Sequence, residues 1–242
     1  QTPMGRAVTP ADEWTSLAAE RVTIPNERFQ REFEAWSADG HLHQAEAGGK
    51  FRNSHPLAYA VGSGMNGISF LVRRGNFLFQ APLSWYARNR NWELSPGYEF
   101  ADYGFNRPIA EACLACHSGG ARPISGTAGE YADPPFQELG VACESCHGPG
   151  SDHVRQAGAR AAIVNPARLA PALAEDVCMY CHQGGATRLT QPGRTLASYT
   201  PGQPLASTLA IFKLPRLEAG ENDLLEHHES MRLSACYRAS AG

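Results

Sequence analysis

Residues 113–117 read CLACH, and the same spacing returns as CESCH at 143–147 and as CMYCH at 178–182. In each copy, two cysteines stand three positions apart and a histidine directly follows the second one. The intervals between copies differ, so the chain repeats a motif and not a whole fold unit. Six of the seven cysteines lie in these copies: Cys113, Cys116, Cys143, Cys146, Cys178 and Cys181.

The CxxCH spacing is the attachment signature of c-type haem. The two thiols add to the vinyl groups of the porphyrin, and the histidine is then placed as an axial ligand of the iron. A four-cysteine zinc site would use the CxxC pairs two at a time and leave the third pair over. A thioredoxin-like motif needs one CxxC and no histidine. The sequence therefore predicts three c-type haems with His117, His147 and His182 as proximal ligands.

Six of the nine histidines lie outside the motifs, which favours bis-histidine ligation of the three irons. His153 follows the turn residues 148–150 so closely that it is expected to ligate an adjacent haem and not the haem of His147. A helix is predicted from about residue 222. His228 falls near the middle of its apolar face and His227 at the edge of that face. His228 is therefore the preferred ligand of these two.

The third distal position stays open among His41, His43 and His55. Asp39-Gly40 predicts a hairpin, and the two-residue period of a strand then places His41 and His43 on one face of its second strand. His55 precedes a proline and is therefore extended, which suits a ligand on a loop. All three remain candidates.

Glycine and proline are abundant, with 24 and 17 residues among 242, so the chain is expected to be rich in loops. Hairpin signals at Asp39-Gly40 and Arg74-Gly75-Asn76 predict an N-terminal β-rich part over residues 1–105. A short helix is predicted near its start, with Thr9 as the capping residue, Pro10 at the first helical position and an end at about Arg21. Residues 106–242 are predicted to be a trihaem region with short helices, in which the porphyrins supply apolar core surface. The expected class is α+β and loop-rich, and the two parts need not fold independently.

The formal charge of −3 gives no broad basic surface for nucleic acid. No apolar run approaches the roughly 18 residues that a membrane span requires. The chain begins with Gln and without the basic and apolar segments of a signal sequence, as expected of a processed, exported protein. The predicted location is therefore periplasmic or extracellular.

Several stretches together resemble a bacterial family of exported multihaem cytochromes c. The resemblance covers nearly everything after about residue 40. It implies closely packed haems that pass electrons, with His153 of the CHGPGxxH pattern ligating a neighbouring haem. Relatives commonly continue from CYRAS into another CxxCH, whereas this sequence stops at Gly242, which suggests a minimal or trimmed trihaem form and leaves the role of Cys236 open. The stretches are YAVGSGMNGISFLVRRGNFLFQAPLSWY, WELSPGYE, CLACHSG, CESCHGPGSDH and HHESMRLSACYRAS.

The preferred hypothesis is an electron-transfer protein that exchanges electrons with redox protein partners or extracellular acceptors. The alternative is a periplasmic oxidoreductase in which one haem has an open iron that acts on a small nitrogen or sulfur compound. Spare histidines and a predicted terminal haem also raise the hypothesis of a head-to-tail homo-oligomer, in which successive copies form a filament.

Overall fold

The structure is a computed structural model that describes residues 2–158, 160–184, 187–212 and 231–240. The chain divides into two compact units, residues 1–141 (unit 1) and residues 142–242 (unit 2). The first CxxCH motif belongs to unit 1, and the second and third belong to unit 2. The predicted α+β, loop-rich class is confirmed, because antiparallel strands and a few short helices are joined by long irregular segments.

One sheet of unit 1 has four antiparallel strands in sequential order. The predicted hairpin at Asp39-Gly40 joins its second and third strands, and both turn residues have positive φ, 53° and 82°. Two such residues in a two-residue loop match the right-handed twist of the strands, which explains why this short signal is reliable. In chain order, its strands are β2 (Val22–Asn26), β3 (Arg31–Ala38), β4 (His41–Gly48) and β5 (Phe51–Pro56).

The second sheet of unit 1 has seven strands and is also antiparallel wherever its pairing is defined. The turn Gly75-Asn76 joins its strands β7 (Gly67–Arg74) and β8 (Phe77–Gln80), as the sequence predicts, and Gly75 has a φ of 60°. The strands are β1 (Val8–Pro10), β6 (Tyr59–Val61), β7 (Gly67–Arg74), β8 (Phe77–Gln80), β9 (Leu83–Tyr86), β10 (Asn91–Leu94) and β11 (Arg107–Pro108).

A buried amide connects the two sheets. The Gln44 side chain on β4 donates to the Leu83 carbonyl of β9 and accepts from the Leu83 amide, at 2.9 Å each. Apolar residues from both sheets surround it in one buried cluster, which includes Phe33, Phe70 and Trp92. A buried amide is tolerated when its donors and acceptors are paired, and here it also fixes the alignment of β9 against β4.

The predicted N-terminal helix is partly wrong. Pro10 ends β1, where it pairs with Tyr59, and a 3₁₀ helix follows over Ala11–Ala18. Trp14 interrupts that helix with a φ of −115°. Its indole donates a 2.8 Å hydrogen bond to the Thr9 hydroxyl. The hydroxyl of the predicted capping residue therefore accepts from a side chain and not from a backbone amide of the helix.

The rest of unit 1 carries the first motif and a hairpin. Helix α1 (Glu111–His117) leads directly into β12 (Gly119–Pro123), which pairs with β13 (Tyr131–Glu138). Leu114 of α1 lies in a second buried cluster with Tyr131 and Phe136 of β13. The short helix is therefore held against the hairpin by one apolar side chain.

Unit 2 has a small apolar interior. Its buried cluster contains Met179, Leu205 and Leu209. Leu209 is also the first residue of the second strand in a two-stranded sheet. Because only a few side chains are buried among the described residues of this unit, the described protein atoms alone give it little hydrophobic stabilisation. Its elements are α2 (Glu144–His147), α3 (Ser151–Arg155), α4 (Pro171–His182), β14 (Thr187–Thr190), β15 (Leu209–Phe212) and α5 (Ala235–Ser240).

Candidate functional site

Each CxxCH motif ends a helix at its histidine, and Cys143 of the second motif directly precedes its four-residue helix. The helices α1, α2 and α4 end at His117, His147 and His182, respectively. Residues at positions i, i+3 and i+4 lie on one face of a helix, so the two thiols and the imidazole of each motif point to the same side. In all three motifs the first cysteine and the histidine are exposed and the second cysteine is half-buried. The motifs therefore present the same three groups outward in the same arrangement.

The first motif is anchored by Leu114, the residue that directly follows its first cysteine. Leu114 is only 1% exposed and packs in the cluster with Tyr131 and Phe136. Directly after the motif, the Ser118 amide and hydroxyl both donate to the Leu114 carbonyl, at 2.9 and 2.7 Å. These contacts end the helix at His117, while the side chains of Cys113 and His117 stay exposed.

The second motif is anchored by hydrogen bonds. The Glu144 carboxylate accepts from the Gly150 amide at 2.7 Å, which closes the turn that follows the motif. The His147 Nδ1 lies 2.8 Å from the Val164 carbonyl, and the Val164 amide donates to the His147 carbonyl at 3.1 Å. Since a carbonyl can only accept, Nδ1 must carry the proton, and the lone pair of the neutral ring is on Nε2. This is the tautomer that a histidine needs to ligate a metal through Nε2.

The third motif is anchored by both kinds of contact. Met179 is 7% exposed and packs with Leu205 and Leu209. One helical turn earlier, the Asp176 carboxylate accepts a 2.9 Å hydrogen bond from the Leu205 amide. The thioether of Met179 is thus on the protein side of α4, opposite the face that bears the thiols and the imidazole.

The thiols of the second and third motifs lie within electrostatic reach of one another. Burial raises the pKa of the Cys146 thiol, and the neighbouring Cys178 and Cys143 thiols raise it further. Burial, followed by the charges of Asp176, Cys178, Cys146 and Cys181, raises the pKa of Tyr199 to about 12. The two attachment sites of unit 2 are therefore neighbours around Tyr199.

His153 lies on α3, immediately beyond the turn that the Glu144 carboxylate closes. Gly148 begins this turn with a φ of 71°, a conformation that glycine adopts without strain. The His153 side chain is half-buried and has contacts within the protein. His227, His228 and the helix predicted from about residue 222 lie outside the described residues.

The strand registers separate the three N-terminal histidines. His41 and His43 share one face of β4, as predicted, whereas His55 of β5 lies opposite Gln44 on the other face. His41 Nδ1 is 2.9 Å from the Asp12 carboxylate, and the His43 ring stacks on Trp36 with centroids 5.3 Å apart. These two imidazoles already have protein neighbours on the outer face of the sheet.

His55 has a different environment. Its ring packs against Phe105, with centroids 4.7 Å apart. Its Nε2 is buried, and no hydrogen-bond partner for it occurs among the residues that the structure describes. Burial, with a smaller effect of the Arg74 guanidinium, lowers the pKa of His55 and so favours the neutral imidazole. A neutral imidazole with an unused nitrogen has the chemistry of a metal ligand.

The residues of the three motifs fit covalently bound haem. Each supplies two thiols at the attachment spacing and one outward imidazole, and the second also shows the required tautomer. Within the described ranges, no three His, Cys, Asp or Glu side chains converge in an arrangement that could hold a metal ion by themselves. Nor does any helix of the described residues have the length and apolar character needed to cross a membrane.

Sequence reasoning missed the contacts that connect distant positions. Neither the bond from His147 to Val164 nor the pairing of His41 with Asp12 has a local signal, since 17 and 29 residues separate the partners. The stacking of Tyr180 on Tyr199, with centroids 4.9 Å apart, was likewise not foreseen. A tyrosine between the two cysteines of CMYCH was the one visible clue to that aromatic pair.

Comparison with known proteins agrees with the chemistry of the motifs. Residues 99–148 match a family model described as cytochrome c554 and c-prime. This segment is about a fifth of the chain and contains the first two motifs. The match supports a multihaem c-type cytochrome with covalently bound haem and a role in electron transfer.

The crystal structure of outer cell wall cytochrome OcwA aligns with a TM-score of 0.44 and 20% sequence identity. The alignment covers 64% of this chain and 33% of that one, so the chain spans about a third of the length of OcwA. A similarity of this size supports no conclusion about fold or function. No curated protein matches the chain.

Proposed function

We propose that the chain is a trihaem c-type cytochrome that conducts electrons through haems held at the three CxxCH motifs. The observation that carries this proposal is the repeated geometry of α1, α2 and α4. Each helix ends at a histidine, and each presents two thiols and that imidazole on one outward face. The same spacing at the ends of three otherwise different helices points to one shared ligand.

The roles of the motif residues follow from their chemistry. The six thiols form thioether bonds to the porphyrins, and His117, His147 and His182 ligate the irons. When bound, each haem supplies one-electron chemistry. The protein fixes each imidazole by anchoring its helix through Leu114, through the bond from His147 to Val164, or through Met179.

Bis-histidine ligation is the proposed state of the irons. His153 is proposed for a neighbouring haem and His228 for a second distal position. Among His41, His43 and His55, we favour His55, because its Nε2 is buried and has no hydrogen-bond partner in the part of the chain that the structure describes. If histidines hold the irons in this way, the irons would exchange electrons with little change in coordination and would bind no substrate.

The location and partners belong to the same proposal. Covalent attachment retains haem outside the cytoplasm, so we expect an exported protein, periplasmic or extracellular, that meets redox protein partners or extracellular acceptors. A head-to-tail homo-oligomer would extend the path of the electron beyond one chain, and an unclosed contact of this kind propagates as a filament. Size-exclusion chromatography and electron microscopy of native material would detect it, and a discrete monomer would contradict this part.

The first test counts haems. We expect mass spectrometry and haem staining of the denatured protein to give three covalent haems, and Cys146→Ala to lose correct attachment at one site. Cys236→Ser is the matched control, because Cys236 is an exposed cysteine outside every motif and should retain three haems. A wild-type protein without covalent haem would overturn the proposal.

The second test is the spin state. Electron paramagnetic resonance of the oxidised protein should show low-spin ferric iron throughout. A stoichiometric high-spin signal would instead indicate an open iron and support the oxidoreductase hypothesis.

A further inference from the structure

Tyr199 of unit 2 has a hydroxyl group that the described protein does not satisfy. The oxygen atom is buried and has no hydrogen-bond partner among the described residues. The ring itself is well packed, since it stacks on Tyr180 with centroids 4.9 Å apart and an angle of 11° between the planes. Buried tyrosine hydroxyls normally find a partner, and leaving one unpaired is unfavourable.

The other buried tyrosines form hydrogen bonds within the protein. The Tyr98 hydroxyl donates to the carbonyls of Gln80 and Gly104, at 2.8 and 2.9 Å. The Tyr131 hydroxyl donates to the Ile109 carbonyl at 2.9 Å. Both lie in unit 1. Tyr199 differs from them because its hydroxyl has no hydrogen-bond partner among the described residues, while thiols of two attachment motifs lie near it.

The electrostatic neighbours of Tyr199 place it between two of these motifs. After burial and the charge of Asp176, the groups that raise its pKa to about 12 are the thiols of Cys178, Cys146 and Cys181. The thiols would lose their charge on forming thioethers, whereas the burial of the hydroxyl remains. Tyr199 therefore stays protonated at neutral pH and is available as a donor.

We propose that the Tyr199 hydroxyl donates a hydrogen bond to a propionate carboxylate of one of the two haems held in unit 2, and that this bond raises the reduction potential of that haem. The inference rests on the proposed function, because it requires the haems. Propionates are the strong oxygen acceptors that a c-type haem carries, and hydrogen bonds to charged acceptors are the stronger kind. The positive end of the O–H dipole offsets the propionate charge, which makes the addition of an electron to the haem more favourable.

The test compares Tyr199→Phe with the wild-type holoprotein by spectroelectrochemical titration. Phenylalanine keeps the stacked ring and removes only the hydroxyl. We expect three covalent haems in both proteins, and one of the three Nernstian components should move to lower potential in the variant. A tenfold change in the ratio of reduced to oxidised haem would correspond to a shift of about 59 mV for one electron.

Tyr98→Phe is the matched control. This variant loses two hydrogen bonds within unit 1, so it should melt at a lower temperature while its haem potentials stay unchanged. If Tyr199→Phe carries all three haems and shows unchanged potentials, the inference is wrong and the proposed function stands. If the wild-type protein carries no covalent haem, the proposed function itself fails.

A second measurement covers the case in which Tyr199→Phe does not accumulate. Redox-triggered infrared difference spectra of wild-type protein with ring-labelled tyrosine should contain a tyrosine C–O band that changes on reduction. The absence of any redox-sensitive tyrosine band would overturn the inference without the variant.

Discussion

Replacing Leu114 by Ala tests whether the first motif is held by the single side chain that α1 buries. Leu114 is 1% exposed in the cluster with Tyr131 and Phe136. The change removes three carbon atoms from this site, and at about 0.8 kcal/mol for each buried methylene the lost transfer free energy is about 2.4 kcal/mol. The cavity that remains adds to this value, so we expect the free energy of unfolding to fall by about 2–5 kcal/mol.

The assay is denaturant unfolding of the holoprotein followed by circular dichroism, after haem counting shows equal cofactor content. Leu139→Ala is the control, because Leu139 is in the same unit and 37% exposed. It should lose less than about 1 kcal/mol, as is usual at positions with surface exposure. Equal losses in the two variants would refute the view that Leu114 anchors the helix.

Three further predictions concern ligation and pH. His147→Ala should retain covalent haem at Cys143 and Cys146 but lose the low-spin signal of that iron, as measured by mass spectrometry and electron paramagnetic resonance; an unchanged spectrum would exclude His147 as a ligand. His153→Ala should alter a haem other than that one, and a change confined to the haem of His147 would show that the assignment is wrong. The Arg52 hydrogen bond, with Arg21, lowers the pKa of Glu34 from 4.5 to about 2. The stability from this carboxylate is therefore present above about pH 4.5 and lost as the pH falls towards 2, so unfolding curves of Glu34→Gln should show a weaker pH dependence across that range; identical dependence in both proteins would contradict it.

Local chemistry explains what the sequence predicts well. The hairpins at Asp39-Gly40 and Gly75-Asn76 depend on residues that tolerate positive φ, and neighbouring residues alone decide such turns. The shared side of the thiols and the imidazole in each motif follows from the spacing once the segment is helical, since helical geometry fixes the relation between positions i, i+3 and i+4. The shared face of His41 and His43 follows from the period of a strand in the same way.

Contacts between distant segments explain what the sequence does not predict. The helix signal near Thr9 is overridden because Pro10 pairs with Tyr59 in a sheet, 49 residues along the chain. The orientation of His55 depends on the register of β5 against Gln44, and the buried bonds of that glutamine to Leu83 depend on how two sheets pack. Periodicity assigns a residue to a face, but it does not say which face the tertiary structure will cover.

The residue after the first cysteine holds the motif to the protein in one of two ways: through apolar packing of Leu114 and Met179, or through a hydrogen bond of Glu144. The two cysteines and the histidine, which are the same in every copy, are thus left for the cofactor. The residue after the first cysteine, which varies, contacts the rest of the protein. A site of this kind could be added at a new position in a protein, because it needs only a short helix and one side chain that contacts an existing surface. Such modularity would let a lineage of proteins change the number of its redox centres without redesigning the scaffold that carries them.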